Sequence, residues 1–146
     1  SVRISATDWL DQGWTIDDSV MLAAELARAG CDIIDVSSGQ LSPDSIPEYG
    51  RLYQTPFAER LRLEANIPTM TVGNISSYAD CNSVIAAGRA DLCVLARAHL
   101  YDPYWSRHAA FEQGARVDAW PSQYKTMNHY VPRFEWTARG QSRSND

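Results

Sequence analysis

Short β-branched runs alternate with longer stretches of helical periodicity along most of this chain, and the helical stretches carry recognisable start and stop residues. That alternation restricts the fold to βα units built on a parallel sheet. Val2 to Ala6 reads as the first strand. The helix after it begins near Thr15, where Thr15 and Asp18 make a capping-box pattern ahead of Val20, Ala23, Ala24 and Ala27, and Gly30 supplies the stop. Ile33 to Ser37 reads as a second strand. The polar, Pro-containing stretch from Ser38 to Gln54 is too long for a plain connector.

The second helix takes Thr55 as cap and Pro56 in its first turn, and ends near Asn66 because Pro68 blocks continuation. Thr69 to Gly73 forms the third strand. Ser77 and Asp80 open the third helix, whose Cys81, Val84, Ile85 and Gly88 recur as a core-facing stripe. Leu92 to Ala96 is the fourth strand, and a last helix runs from Asp102-Pro103 to near Gly114. Beyond Trp120-Pro121 no periodicity is visible, and the final residues are expected to be loose. A short echo, Ala29-Gly30-Cys31-Asp32-Ile33-Ile34 against Ala87-Gly88-Arg89-Ala90-Asp91-Leu92, fits a repeated βα design.

Composition narrows the function classes. At 146 residues with 45% apolar content the chain fits one compact domain with a real core. A formal charge of −5, with no basic cluster, argues against nucleic acid as a partner. No apolar run approaches the roughly 20 residues that cross a bilayer, and Ser1-Val2-Arg3-Ile4 lacks signal-peptide zones. A soluble, cytoplasmic protein with no membrane partner is the expectation. Cys31, Cys81 and Cys93 are widely spaced and read as reduced thiols packing as small hydrophobes; with His99, His108 and His129 scattered, no metal site is expected.

Chemistry in parallel α/β folds gathers where strands end, so the residues following each strand matter most. Val72-Gly73-Asn74-Ile75 follows the third strand, and Gly73 lets the backbone approach a ligand with its N–H exposed. Ala96-Arg97-Ala98 follows the fourth, where Arg97 offers a phosphate its fork of donors at a helix start. The alternative is an ordinary tight turn with a surface arginine. Arg3, set among Val2, Ile4 and Ala6 on a strand, requires an anionic or electron-rich partner unless the terminus frays into solvent.

Together these segments resemble old yellow enzyme family flavoproteins. Val2-Arg3-Ile4-Ser5-Ala6-Thr7-Asp8, Ile33-Ile34-Asp35-Val36-Ser37-Ser38-Gly39, Thr71-Val72-Gly73-Asn74-Ile75, and Gly88-Arg89-Ala90-Asp91-Leu92 through Leu95-Ala96-Arg97 follow in the family's order and spacing. The stretch Tyr49-Gly50-Arg51 to Tyr53-Gln54-Thr55-Pro56-Phe57-Ala58 is similar to the reductase region of salicylyl-CoA hydroxylase and anthraniloyl-CoA monooxygenase fusion proteins. The resemblance implies an α/β fold: the C-terminal half, strands 5 to 8, of a (βα)8 TIM barrel, with residues 1–125 as the half-barrel and 126–146 as an irregular tail.

It also implies FMN as cofactor and NAD(P)H as reductant. Arg3 then lies by the flavin pyrimidine, Gly73 and Asn74 approach the phosphate and ribityl chain, and Ala96 with Arg97 complete the phosphate cradle. Ala96 departs from the family's usual glycine. Tyr53, in the long loop, and Lys125 are the candidate substrate contacts, although Thr126 stands where some relatives place an arginine that reaches a neighbouring subunit.

The family's proton-donating tyrosine and carbonyl-gripping His/Asn pair lie upstream of the strand at Val2, so no catalytic residue is assigned here, and the isolated chain is expected to be inactive. The implied reaction is hydride transfer through FMN to an unsaturated or dearomatised small molecule, with an aromatic CoA thioester as the finer expectation. A (βα)8 domain takes about 250 residues. The expected partners are therefore the upstream half of the barrel and a second copy in a homo-oligomer. Two other readings stay open: a non-catalytic, self-assembling half-barrel, and an unrelated phosphate-binding α/β domain.

Overall fold

Four strands, β1 (Val2–Ser5), β2 (Ile34–Ser37), β3 (Thr69–Thr71) and β4 (Leu92–Cys93), pair in parallel in their chain order. Between them run α1 (Ile16–Arg28), α2 (Thr55–Glu64) and α3 (Tyr78–Ala86), followed by α4 (Arg97–Tyr101), α5 (Trp105–Glu112) and a 3-10 helix, Ser122–His129. This computed structural model describes residues 1–115 and 120–129. Residues 130–146, most of the expected tail and including Trp136, lie outside the described residues. The chain divides into two compact units, Ser1–Trp105 and Ser106–Asp146. Within the second, the Arg107 guanidinium lies 3.9 Å from the centre of the Trp120 ring.

Side chains alternate between the two faces of the sheet. One row, Ile4, Val36, Thr71 and Cys93, turns to the helices. Ile34, Val36, Ala23, Ala58, Leu61 and Val84 are fully buried there, which makes this layer the core. The row beside it, Arg3, Asp35, Met70 and Leu92, is on the opposite face, where Leu92 is 52% exposed. Helices thus cover one face of the sheet and leave the other open.

The helix starts follow the capping chemistry. Thr15 and Ser77 each cap with a reciprocal box, to Asp18 and Asp80 respectively. Gly30 lies at φ +93° directly after the first helix, the left-handed conformation that glycine takes without strain. The second helix differs from expectation. Gln54, not Thr55, holds the cap position; Thr55 is the first helical residue, and its hydroxyl turns inward to lie 3.2 Å from that of Thr71.

Three further details correct the sequence reading. The stripe on α3 is only partly core-facing, since Val84 is buried but Ile85 is 46% exposed. The third and fourth strands stop after Thr71 and Cys93, earlier than Gly73 and Ala96, with one more ladder bond from the Val94 amide to the Thr71 carbonyl at 2.8 Å. A helix start at Arg97 was expected, but the extent of the short helix α4 was not legible, because Ala96 caps it without a side-chain bond and five residues carry no periodicity. The thiols are half-buried; burial first, and the neighbouring Cys81 second, push Cys93 up to about 12, so it stays protonated.

Asp80 illustrates how a helix start is tied to a loop. Its carboxylate accepts the amides of Ser76 and Ser77 at 3.2 and 3.1 Å and pairs with Arg51 from the long loop. Burial alone would raise its pKa, but the two amides, Arg51 and the Ser77 hydroxyl outweigh it and hold the group at about 2. A carboxylate depressed on folding stabilises the folded state above its unfolded pKa near 3.9, and loses that contribution as pH falls through the folded value. Acid titration of the wild type followed by circular dichroism should therefore show a loss of about 2 kcal/mol between roughly pH 4 and pH 2. Asp80→Asn should be less stable at neutral pH and lack that component; an unchanged acid limb would refute the assignment.

Candidate functional site

The strand ends point to one edge of the sheet, and an open cavity of about 1110 Å³ lies there. It is lined by Arg3, by Gly73 and Asn74 after β3, and by Ala96 and Arg97 after β4, with Tyr53 from the long loop. Five residues singled out as a cofactor set, and one as a substrate contact, therefore share a single cavity. Lys125 lies on the 3-10 segment, in the second unit. Among the described lining residues there are two arginines and no carboxylate, so the cavity favours an anion.

The local backbone explains the residue types. Gly73 has φ +116° and Asn74 φ +52°, two successive residues in the left-handed half of conformational space. A side chain at Gly73 would also have no room: an added Cβ would lie 2.6 Å from Gln54 Nε2 and 2.8 Å from Tyr53 Cε1. Ala96, by contrast, sits at φ −111°, where an L-residue fits without the left-handed penalty. The Arg97 and Ala98 amides, at the start of α4, have no acceptor among the described residues.

Gln54 was not singled out from the sequence, yet it organises the site. It is 2% exposed. Its Nε2 donates to the Val72 carbonyl at 2.8 Å, and its Oε1 accepts from the Ser38 hydroxyl at 2.7 Å. One side chain thus bridges the ends of β2 and β3. A glutamine beside a capping position carries no sequence signal for this, because both partners arrive from other strands. Beside it, Tyr53 meets Tyr49 edge to face with ring centres 5.3 Å apart. Burial, then Tyr49, raise the Tyr53 pKa against the opposing pull of Arg97, which keeps the phenol protonated and able to donate.

Arg3 projects from β1 on the open face. Its Nη1 donates to Asp35 Oδ2 at 2.9 Å, while 55% of the arginine side chain remains exposed. At the mouth, Trp105 Nε1 donates to the Ser76 carbonyl at 3.1 Å. This arrangement offers a planar, electron-rich ligand one cation on the sheet face, and offers an anionic group a second cation with the backbone amides of Arg97 and Ala98 just past β4.

Gly73→Ala should destabilise the chain by about 2 kcal/mol, through φ strain and the clash with Gln54 and Tyr53. Gln54→Leu should cost a similar amount, about 2 kcal/mol, by leaving the Val72 carbonyl and Ser38 hydroxyl without their partner. Urea unfolding of both variants checks this, and a change below about 0.5 kcal/mol in either would contradict the clamp.

Residues 1–114 match the model of the NADH:flavin oxidoreductase / NADH oxidase family. An NADPH dehydrogenase of Geobacillus sp. (strain WCH70) is 47% identical over 118 residues, 81% of this chain and 34% of the relative. The NADPH dehydrogenase of Geobacillus thermodenitrificans (strain NG80-2) is 45% identical over 85% of this chain and 36% of its own length. That of Bacillus subtilis (strain 168) is 37% identical over the same shares. The chain thus spans about a third of the length of these relatives. Among solved structures, histamine dehydrogenase from Rhizobium sp. 4-9 superposes with a TM-score of 0.62 at 20% identity, over 77% of this chain and 16% of that one.

Proposed function

The chain belongs to the NADH:flavin oxidoreductase / NADH oxidase family, the old yellow enzyme family, and we propose that its cavity is the FMN-binding part of a flavin-dependent oxidoreductase using NAD(P)H. The observation that carries this reading is the convergence of Arg3, Gly73, Asn74, Ala96 and Arg97 on one cavity whose described lining contains no carboxylate. Membership removes the reading of an unrelated phosphate-binding domain. The residues fit the group: a phosphomonoester needs the bidentate fork and free amides that Arg97 and the start of α4 provide.

The chemistry that FMN supplies when bound is hydride transfer, from NAD(P)H to an activated alkene or a dearomatised ring. Arg97 holds the phosphate end, and Gly73 and Asn74 bring backbone close to it. Arg3, which lines the cavity from the sheet face, would supply positive charge to the flavin ring, a charge that favours its electron-rich state. Tyr53, kept as a phenol, donates from the long loop. An aromatic CoA thioester is the finer substrate reading. Its support is the resemblance carried by Tyr49 to Ala58, four of whose residues, Tyr49, Gly50, Tyr53 and Gln54, line the cavity.

The same reading includes a partner. Among the described residues the edge strands β1 and β4 each pair on one side only, and Leu92 on the open face is 52% exposed. Unsatisfied edges, and a face on which an apolar residue stands exposed, favour closure by further strands. We assign that role to another barrel segment, from the same polypeptide or from a second copy.

Titration with FMN and with riboflavin, followed by quenching of flavin fluorescence, tests the proposal. The wild-type chain should bind FMN, and Arg97→Ala should weaken FMN by about tenfold to a hundredfold while changing riboflavin affinity by less than about twofold. A wild-type chain indifferent to FMN, or an equal loss for both flavins, would sink it.

A further inference from the structure

Asp35 stands directly across from Arg3 in the β1–β2 register. Its Oδ2 accepts from Arg3 Nη1 at 2.9 Å, and this is the ion pair that Arg3 makes among the described residues. Surroundings differ sharply across the pair. The arginine side chain is 55% exposed, whereas that of Asp35 is 16% exposed and its Oδ1 is buried without a hydrogen-bond partner among the described residues. The enclosed member is the carboxylate. The exposed member is the cation, which lines the cavity.

That asymmetry has a chemical meaning. Arginine is long and rich in rotamers, so a guanidinium on an open sheet face samples many directions unless something holds it. Its donors lie in one plane, so a single charge-assisted bond at Nη1 sets the direction in which Nη2 and Nε face. Met70 and Leu92 continue the same cross-strand row and are apolar, which leaves Asp35 as the anchor the row provides. Strand pairing fixes the distance between the two Cα atoms, and aspartate has too short a side chain to follow the arginine elsewhere.

We propose that Asp35 is a positioning residue that presents the Arg3 guanidinium to the pyrimidine edge of the bound flavin. This rests on the flavin reading of the cavity. Asp35 touches neither substrate nor cofactor in this scheme; it acts through Arg3. A carboxylate that merely sat nearby would lower the positive potential at the flavin, so its removal would favour the reduced, electron-rich ring. A carboxylate that positions Arg3 has the opposite signature, because losing the anchor withdraws the cation from the ring.

The test uses Asp35→Asn, which keeps shape but loses charge, and Asp35→Glu, which keeps charge but moves it, with Arg3→Ala as reference. Two quantities are read in the full chain: the ¹⁵N signals of the Arg3 guanidinium without flavin, and the ratio of affinities for reduced and oxidised FMN. Positioning predicts separate Nη signals in the wild type that merge in both Asp35 variants. It also predicts that the preference for reduced FMN falls about tenfold in both, towards that of Arg3→Ala. A raised preference in Asp35→Asn with no change in Asp35→Glu would overturn the proposal in favour of a bystander charge. Merged Nη signals already in the wild type would overturn the anchoring itself. If the wild type binds neither redox form of FMN, the flavin reading falls and takes this role with it, while separate Nη signals would still show the anchor to be real.

Discussion

The parallel register of the four strands is the constraint on which the rest depends. It places Ile4, Val36, Thr71 and Cys93 in one row beneath the helices, and Arg3, Asp35, Met70 and Leu92 in the next row on the opposite face. A slip of one residue in β1 would bury an arginine and expose an isoleucine, so the buried row specifies the register strongly. Because the strands run in the same direction, the segments after β3 and β4 leave from one edge. The cavity exists at that edge for this reason.

Polar cross-links then hold the edge in shape. Gln54 joins the ends of β2 and β3, Asp80 joins the long loop to the start of α3, and Asp35 joins β2 to β1 through Arg3. Gln54 and Asp80 are buried at 2% exposure, where an unmet bond is costly. Helix-surface pairs such as Arg28 with Glu25 and Arg60 with Glu64 sit in solvent and contribute little. Ion pairs that connect distant segments include Arg3 with Asp35, Arg51 with Asp80, Arg62 with Asp91 and Arg89 with Glu59, and each of these has at least one partner drawn out of full exposure.

The match to the family extends over residues 1–114, and the cavity-lining residues all fall within it. The segment that aligns with relatives is therefore the one that builds the cavity. The open face of the sheet carries, in one cross-strand row, the charged pair Arg3 and Asp35 followed by the apolar side chains of Met70 and Leu92.

Much of this was legible in the residues. The helices α1 and α3 were readable because Thr15 with Asp18, and Ser77 with Asp80, are local signals whose partners lie three residues apart. The strands were readable from β-branched runs, and Arg3, Gly73 and Arg97 stood out because a cation on a strand or a glycine at its tip breaks the surrounding pattern. Three things waited for the tertiary structure. Thr55 left the cap position because its hydroxyl meets Thr71 from another strand, α4 formed without a capping signal, and Gln54 acquired its role from Val72 and Ser38. Local chemistry is written in neighbouring residues, and the sequence by itself determined the βα order and the candidate cations. Which side chains meet across sequence separations of 16 or 18 positions depends on how the strands pack side by side, and only the folded sheet decided that.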